Sequence, residues 1–251
     1  MSFTRRALVA TAVAGPALVN APAAASARPG LAPAGPALPA RGAFADMGVT
    51  YLDAGSTHPM PLAAQAALSD YLAYKTRAAD APALDMGAIE TRAVESFGRL
   101  VGARPEELAL IQSTAMGENL VLQALALPAA GGKIITDALH FFGSYYPYGR
   151  LAEAGMEVVT LPMTADGRTD LAAMARAIDG KTRLVAISAV STVNGFEHDL
   201  KAVCDLAHAH GAYVYADLAH AAGAVPLDLR AAGVDFAATS SYKWLIRDLG
   251  L

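Results

Sequence analysis

Lys243 and Asp217 are the residues whose types and surroundings are best suited to chemistry. Lys243 lies in Ser240-Ser-Tyr-Lys-Trp-Leu-Ile246, among apolar and aromatic neighbours rather than on a charged stretch. A lysine amine becomes a nucleophile only when it sheds its proton, which partial burial favours. The alternative is a snorkelling lysine at a strand end. Asp217 directly follows Tyr213-Val-Tyr-Ala216, a run that reads as a buried strand. A carboxylate there is costly unless it is paired. It could cap a following helix, or it could pair with a protonated ring nitrogen. A lysine that forms a Schiff base and an aspartate on a pyridine nitrogen are the residue pair of pyridoxal 5′-phosphate (PLP) chemistry.

Other candidates follow other apolar runs. Ser113-Thr-Ala-Met-Gly117 opens a helical pattern. Its hydroxyls and free N–H groups would suit a phosphate, or would form an ordinary cap. His140 precedes Phe141 and Phe142. Its ring could stack on a flat cofactor or be structural. His208 and His210 read as surface residues on different helix faces, so no metal site is expected. Cys204, the single cysteine, reads as a buried structural thiol. Asp235 could be structural.

Elements that could bring these residues together are legible. Helical periodicity covers Leu62–Tyr74, Ala88–Val101, Met116–Leu127, Tyr145–Ala154, Leu171–Ile178 and Leu200–His210. Short apolar runs predict strands at Leu108–Ile111, Lys133–Thr136, Glu157–Leu161, Arg183–Ser188, Ala212–Ala216 and Phe236–Thr239. The runs are continuous rather than alternating, as a parallel sheet covered on both faces requires. The alternation predicts an α/β domain with right-handed crossovers. Ligands of such sheets bind beyond the carboxyl ends of the strands, where Ser113–Gly117, His140, Asp217 and Lys243 lie.

Composition supports a folded domain. The chain has 251 residues, 54% hydrophobic and 17% charged, with a net charge of -4. That excludes disorder over most of its length, and a basic nucleic-acid footprint is absent. Thr4-Arg5-Arg6 with the apolar stretch after it and Ala25-Ser26-Ala27 resemble a twin-arginine signal over residues 1–27. Export to the periplasm or beyond is therefore expected. The apolar run is too short and broken for a membrane span. Residues 28–45 read as an Ala/Pro-rich linker, and 46–251 as one domain.

Competing nucleotide-binding and hydrolase motifs are missing. No Gly-x-Gly-x-x-Gly run exists, Gly180-Lys-Thr182 has Ala175 where a P-loop needs glycine, and no Gly-x-Ser-x-Gly occurs.

Ala212–Asp228 together with Gly233–Leu245 resembles the class V aminotransferase family of PLP enzymes, and Tyr51-Leu-Asp-Ala-Gly55 resembles its opening segment. The resemblance implies the large domain of a PLP-dependent transferase of fold type I, a mostly parallel sheet with helices on both faces. It implies that Lys243 carries the cofactor as a Schiff base, that Asp217 pairs with the pyridine nitrogen and that His220 contacts the phenolic oxygen. Ser240 and Tyr242 become phosphate-side or Schiff-base-side contacts, and Thr114 with the backbone of Ala115 and Met116 the phosphate loop. His140 is expected to stack on the cofactor ring, with Phe141 the alternative, and Thr192 takes a position that is often Asn in desulfurases. Ala115-Met116 stands where many members carry Thr-Glu. Tyr242-Lys-Trp-Leu245 looks closer to the isopenicillin-N-epimerase-like branch than to the desulfurases. An amino-acid-like substrate and, at full length, a homodimer are implied. The family usually continues well beyond Lys243 into a C-terminal domain. The resemblance therefore also implies a truncated chain, active in aminotransfer, epimerisation or elimination, or else a PLP-binding fragment without activity.

Overall fold

A computed structural model describes residues 40–246. The expected signal at 1–27, and the linker up to residue 39, lie outside them. Helices α1 (Leu62–Thr76), α2 (Met86–Val101) and α3 (Thr114–Ala124) precede the first strand. Then strands and helices alternate: β1 (Lys133–Asp137), α4 (Tyr145–Glu153), β2 (Glu157–Leu161), α5 (Leu171–Ala177), β3 (Thr182–Ser188), α6 (Leu200–His208), β4 (Tyr213–Asp217), α7 (Leu229–Ala232) and β5 (Phe236–Ala238). All pairs are parallel, in the order β2-β1-β3-β4-β5.

Local signals set the helix starts. Asp85, Ser113, Asp170, Asp199 and Asp228 cap α2, α3, α5, α6 and α7, each accepting a backbone N–H from the first turn. Ser113 moves the start of α3 ahead of the expected Met116, so Thr114 and Ala115 belong to its first turn.

The expected strand at Leu108–Ile111 does not form. Those residues do not join the sheet, and Ile111 packs into the core while Leu110 is half exposed. A four-residue apolar run satisfies a buried extended segment as well as a strand.

Two apolar layers hold the sheet. On one face Ile135, Val185, Ile187 and Val214 pack on Met174 of α5 and on Val203 and Cys204 of α6. On the other, Ile134, Leu184, Ala186 and Tyr215 pack on Leu122 of α3 and on Tyr148 and Leu151 of α4. Each fully buried side chain of this size is worth about 1.5–3 kcal/mol relative to an exposed one. α3 approaches the sheet closely because position 117 is glycine: a Cβ there would sit 2.7 Å from the Ala238 Cβ. That contact seats the start of α3 at the carboxyl end of β5. Among the described residues no helix is long and apolar enough to cross a membrane.

Candidate active site

The carboxyl ends of β4 and β5 meet at Asp217 and Ala238, which are register partners. The chain leaves β5 through Thr239 and reaches Lys243 within five residues. Gly223, in the turn after β4, makes this approach possible. Its φ is +90°, and a Cβ there would lie 2.5 Å from the Trp244 carbonyl oxygen. The Lys243 amine consequently lands 2.9 Å from Nε2 of His220. The His58 N–H donates to the Tyr242 carbonyl at 2.9 Å, tying the Tyr51–Met60 segment to the same loop. Gly55 in that segment lies against the His220 ring, its Cβ direction 3.5 Å from Cε1.

Three ionisable groups at this meeting point are shifted. Burial lowers the Lys243 pKa against the opposing pull of Asp217. Burial and the Lys243 charge push His220 down to about 4, so its ring is neutral at physiological pH. In that state Nε2 can accept from the Lys243 amine, with the ring proton on Nδ1. Burial raises the Asp217 pKa; the Ala219 N–H, His140 and Lys243 pull it back, and Glu118 pushes it up. The Ala219 N–H donates to Oδ1 of Asp217 at 2.8 Å, so the carboxylate closes its own turn rather than capping a helix.

At the start of α3, Ser113 Oγ accepts the Met116 N–H at 3.1 Å. The N–H groups of Thr114 and Ala115 have no intrahelical acceptor. The Thr114 hydroxyl is buried without a hydrogen-bond partner. Ser240 is buried. Thr192 is exposed on the loop after β3, a loop that Ser191 holds by donating to the Leu139 carbonyl at 2.8 Å.

His140 is not where the sequence put it. Its ring is 1% exposed. Nδ1 is 2.9 Å from Ser188 Oγ, Nε2 is 3.3 Å from the Tyr148 hydroxyl, and the Tyr148 ring stacks at 6.1 Å between centroids. No open face remains for a cofactor ring. The turn at Asp137, whose carbonyl accepts the His140 N–H, sends the imidazole under α4. Phe142, 64% exposed, is the open aromatic ring after β1. Phe141, the alternative, packs on it at 4.6 Å between centroids. Glu118, 4% exposed, is a second residue the sequence reading missed. Cys204 is fully buried between α6 and the opposite face, its thiol pushed up to about 12 by burial. Among the described residues no cluster of potential metal ligands occurs.

The comparisons agree with this architecture. A cysteine desulfurase of Klebsiella pneumoniae is 31% identical over 203 residues, which are 78% of this chain and 50% of that protein. A probable cysteine desulfurase of Methanothermobacter thermautotrophicus is 28% identical over 204 residues, 80% of this chain and 51% of that one. The chain thus spans about half the length of the curated relatives it matches. The crystal structure of the cysteine desulfurase CsdA from Escherichia coli superposes with a TM-score of 0.67 at 26% identity, covering 80% of this chain and 52% of that one. The family model for class-V aminotransferases matches residues 50–246, and the chain belongs to that family.

Proposed function

We propose that the chain forms the cofactor-binding part of a PLP enzyme that transforms an amino acid or amine, with Lys243 carrying the cofactor covalently. The observation that carries this reading is the 2.9 Å contact between Lys243 and His220, beside a buried aspartate at the end of β4. The cysteine desulfurases among the relatives support an amino acid as the substrate class.

The residues present fit the cofactor. A lysine with a lowered pKa is suited to covalent attachment through its free amine. Ala219 occupies Oδ1 of Asp217 and leaves Oδ2 for a protonated pyridine nitrogen. The unpartnered Thr114 hydroxyl and the open N–H groups of Thr114 and Ala115 form an anion site at a helix N-terminus, suited to the phosphate. Ser240 and Tyr242, on the lysine loop, would serve as phosphate-side or Schiff-base-side contacts, Met116 gives its N–H to Ser113, and Phe142 offers an open aromatic face.

When bound, PLP supplies an electron sink for bonds at the substrate α-carbon. Asp217 would hold the proton on the pyridine nitrogen through its negative charge. Lys243, beside His220, would be the group that holds or returns a proton at the substrate. His220, neutral, orients the Lys243 amine through Nε2 and offers Nδ1–H as a donor. Cys204 takes no part, because it is enclosed on the far side of the sheet.

Titrating purified protein with PLP tests the reading. A visible absorbance band of a protein-bound Schiff base, abolished by borohydride, is expected. Absence of any such band at saturating PLP would contradict the proposal.

A further inference from the structure

The last residue of β1 gathers three loops of the rim. Asp137 is buried, and so are Thr169 and His198. Thr169 directly precedes Asp170, the cap of α5, and His198 directly precedes Asp199, the cap of α6. His198 Nε2 lies 2.8 Å from Oδ2 of Asp137. Thr169 Oγ1 donates to the same oxygen at 3.0 Å and lies 3.2 Å from the His198 nitrogen. The other carboxylate oxygen, Oδ1, accepts the Leu139 N–H at 2.9 Å. A carboxylate only accepts, so Nε2 is the donor in its contact. The remaining ring nitrogen, Nδ1, is enclosed without a hydrogen-bond partner. Asp137 and Thr169 therefore supply all the polar anchorage of this ring.

The turn after β1 and the loop after β3 meet a second time. Ser191 donates to the Leu139 carbonyl at 2.8 Å, and its hydroxyl accepts the Val193 N–H at 3.0 Å. The His198 N–H donates to the Ala189 carbonyl at 2.9 Å and the Ser191 N–H to the Phe196 carbonyl at 2.8 Å, which closes the loop at its base. Leu139 is thus held at both backbone groups, its N–H by Asp137 and its carbonyl by Ser191. The turn it belongs to leads to Phe142, and the closed loop bears Thr192.

A buried ionic contact is often matched in stability by well-packed apolar side chains, and what it adds is one defined arrangement of the segments that meet on it. We propose that Asp137 is a positioning residue: through His198 and Thr169 it clasps the turn after β1 to the loop after β3, and so fixes the two rim segments that bear Phe142 and Thr192. Burial pushes the Asp137 carboxyl up, but the hydrogen bonds from His198, Thr169 and the Leu139 N–H outweigh it and hold the group below its ordinary range. Asp137 is therefore ready to accept from all three. The clasp itself needs no cofactor; its use in presenting Phe142 and Thr192 to one rests on the PLP reading.

The test uses the full chain in two arms. Without cofactor, amide hydrogen exchange at residues 138–140 and 191–198 is compared with exchange in the interiors of β1 and β3. His198→Leu removes the donor, and Asp137→Asn sets an amide against two donors. Each should raise exchange in both segments about tenfold or more while the strands hold. His198→Gln, whose amide nitrogen can replace Nε2, should return it close to the wild-type rate. Unchanged exchange in either segment of folded His198→Leu overturns the proposal, as does a rise that His198→Gln fails to reverse. If His198→Leu and Asp137→Asn do not fold, unchanged exchange in Thr169→Val overturns it instead. With saturating PLP, the visible circular dichroism of the bound cofactor is the second readout. It should fall about twofold or more in His198→Leu and recover in His198→Gln, a pattern that lost stability alone would not produce. Coupled exchange in a chain that takes up no PLP would uphold the clasp and sink the cofactor reading. PLP uptake with the same dichroism in His198→Leu would leave the cofactor reading standing and overturn the positioning role.

Discussion

The Lys243 amine and the His220 Nε2 are joined at 2.9 Å although 23 residues separate them in the chain. The contact joins two bases of reduced proton affinity, a neutral imidazole and a lysine amine. Burial of both groups lowers that affinity. The glycine at position 223 allows the contact, because the Trp244 carbonyl occupies the space a side chain would need.

His220 should make stability depend on pH on the acid side. Its folded pKa, about 4, lies below the ordinary 6.5. The unfolded chain therefore binds the proton more readily between these values, and stability falls as pH drops from about 6.5 towards 4. Denaturant unfolding of the wild type and His220→Gln across this window should show the wild type losing about 1–2 kcal/mol more, after discounting for partial exposure. Parallel losses in the two proteins would contradict the assignment.

Thr114→Val should have opposite effects with and without cofactor. The unpartnered buried hydroxyl costs stability in the cofactor-free chain. The variant should therefore melt at the same temperature or higher. PLP affinity should fall about tenfold through loss of one phosphate hydrogen bond, on the order of 1.4 kcal/mol. Unchanged PLP affinity would remove Thr114 from the phosphate site.

Gly223→Ala should destabilise the fold by about 2 kcal/mol or more, from the positive φ and the backbone clash together. The damage should concentrate on the lysine loop. Hydrogen exchange at residues 240–246 should rise in the variant well before the strands open. Uniform exchange would show that the turn and the loop are not coupled.

Asp217→Asn should retain PLP while losing the charge that keeps the pyridine nitrogen protonated. In a catalytically complete enzyme carrying this domain, turnover should drop on the order of 10²-fold or more. Near-normal turnover would contradict the role given to Asp217.

Much of this site was legible before any coordinates. Asp217 stood out because it follows an apolar run and Lys243 because its neighbours are apolar and aromatic, and parallel sheets collect strand-end positions on one rim. The strands from Lys133 onward were visible for the same reason. What the sequence hid was direction. Nothing local says that the turn after Asp137 tucks His140 under α4 and leaves Phe142 open. Glu118 was hidden because a lone charge within a helix normally marks a solvated face. Only its spacing, four residues after the inward-facing Thr114, hinted otherwise. Leu108–Ile111 misled because a short apolar run fixes burial but not hydrogen-bond partners.

The central claim is that Lys243 is the residue that carries PLP. Borohydride reduction of the PLP-loaded protein, followed by peptide mapping, tests it most directly. The account expects one phosphopyridoxyl group, on the peptide containing Lys243, and none after Lys243→Ala. Stoichiometric label on another lysine, such as Lys133 or Lys181, would contradict it.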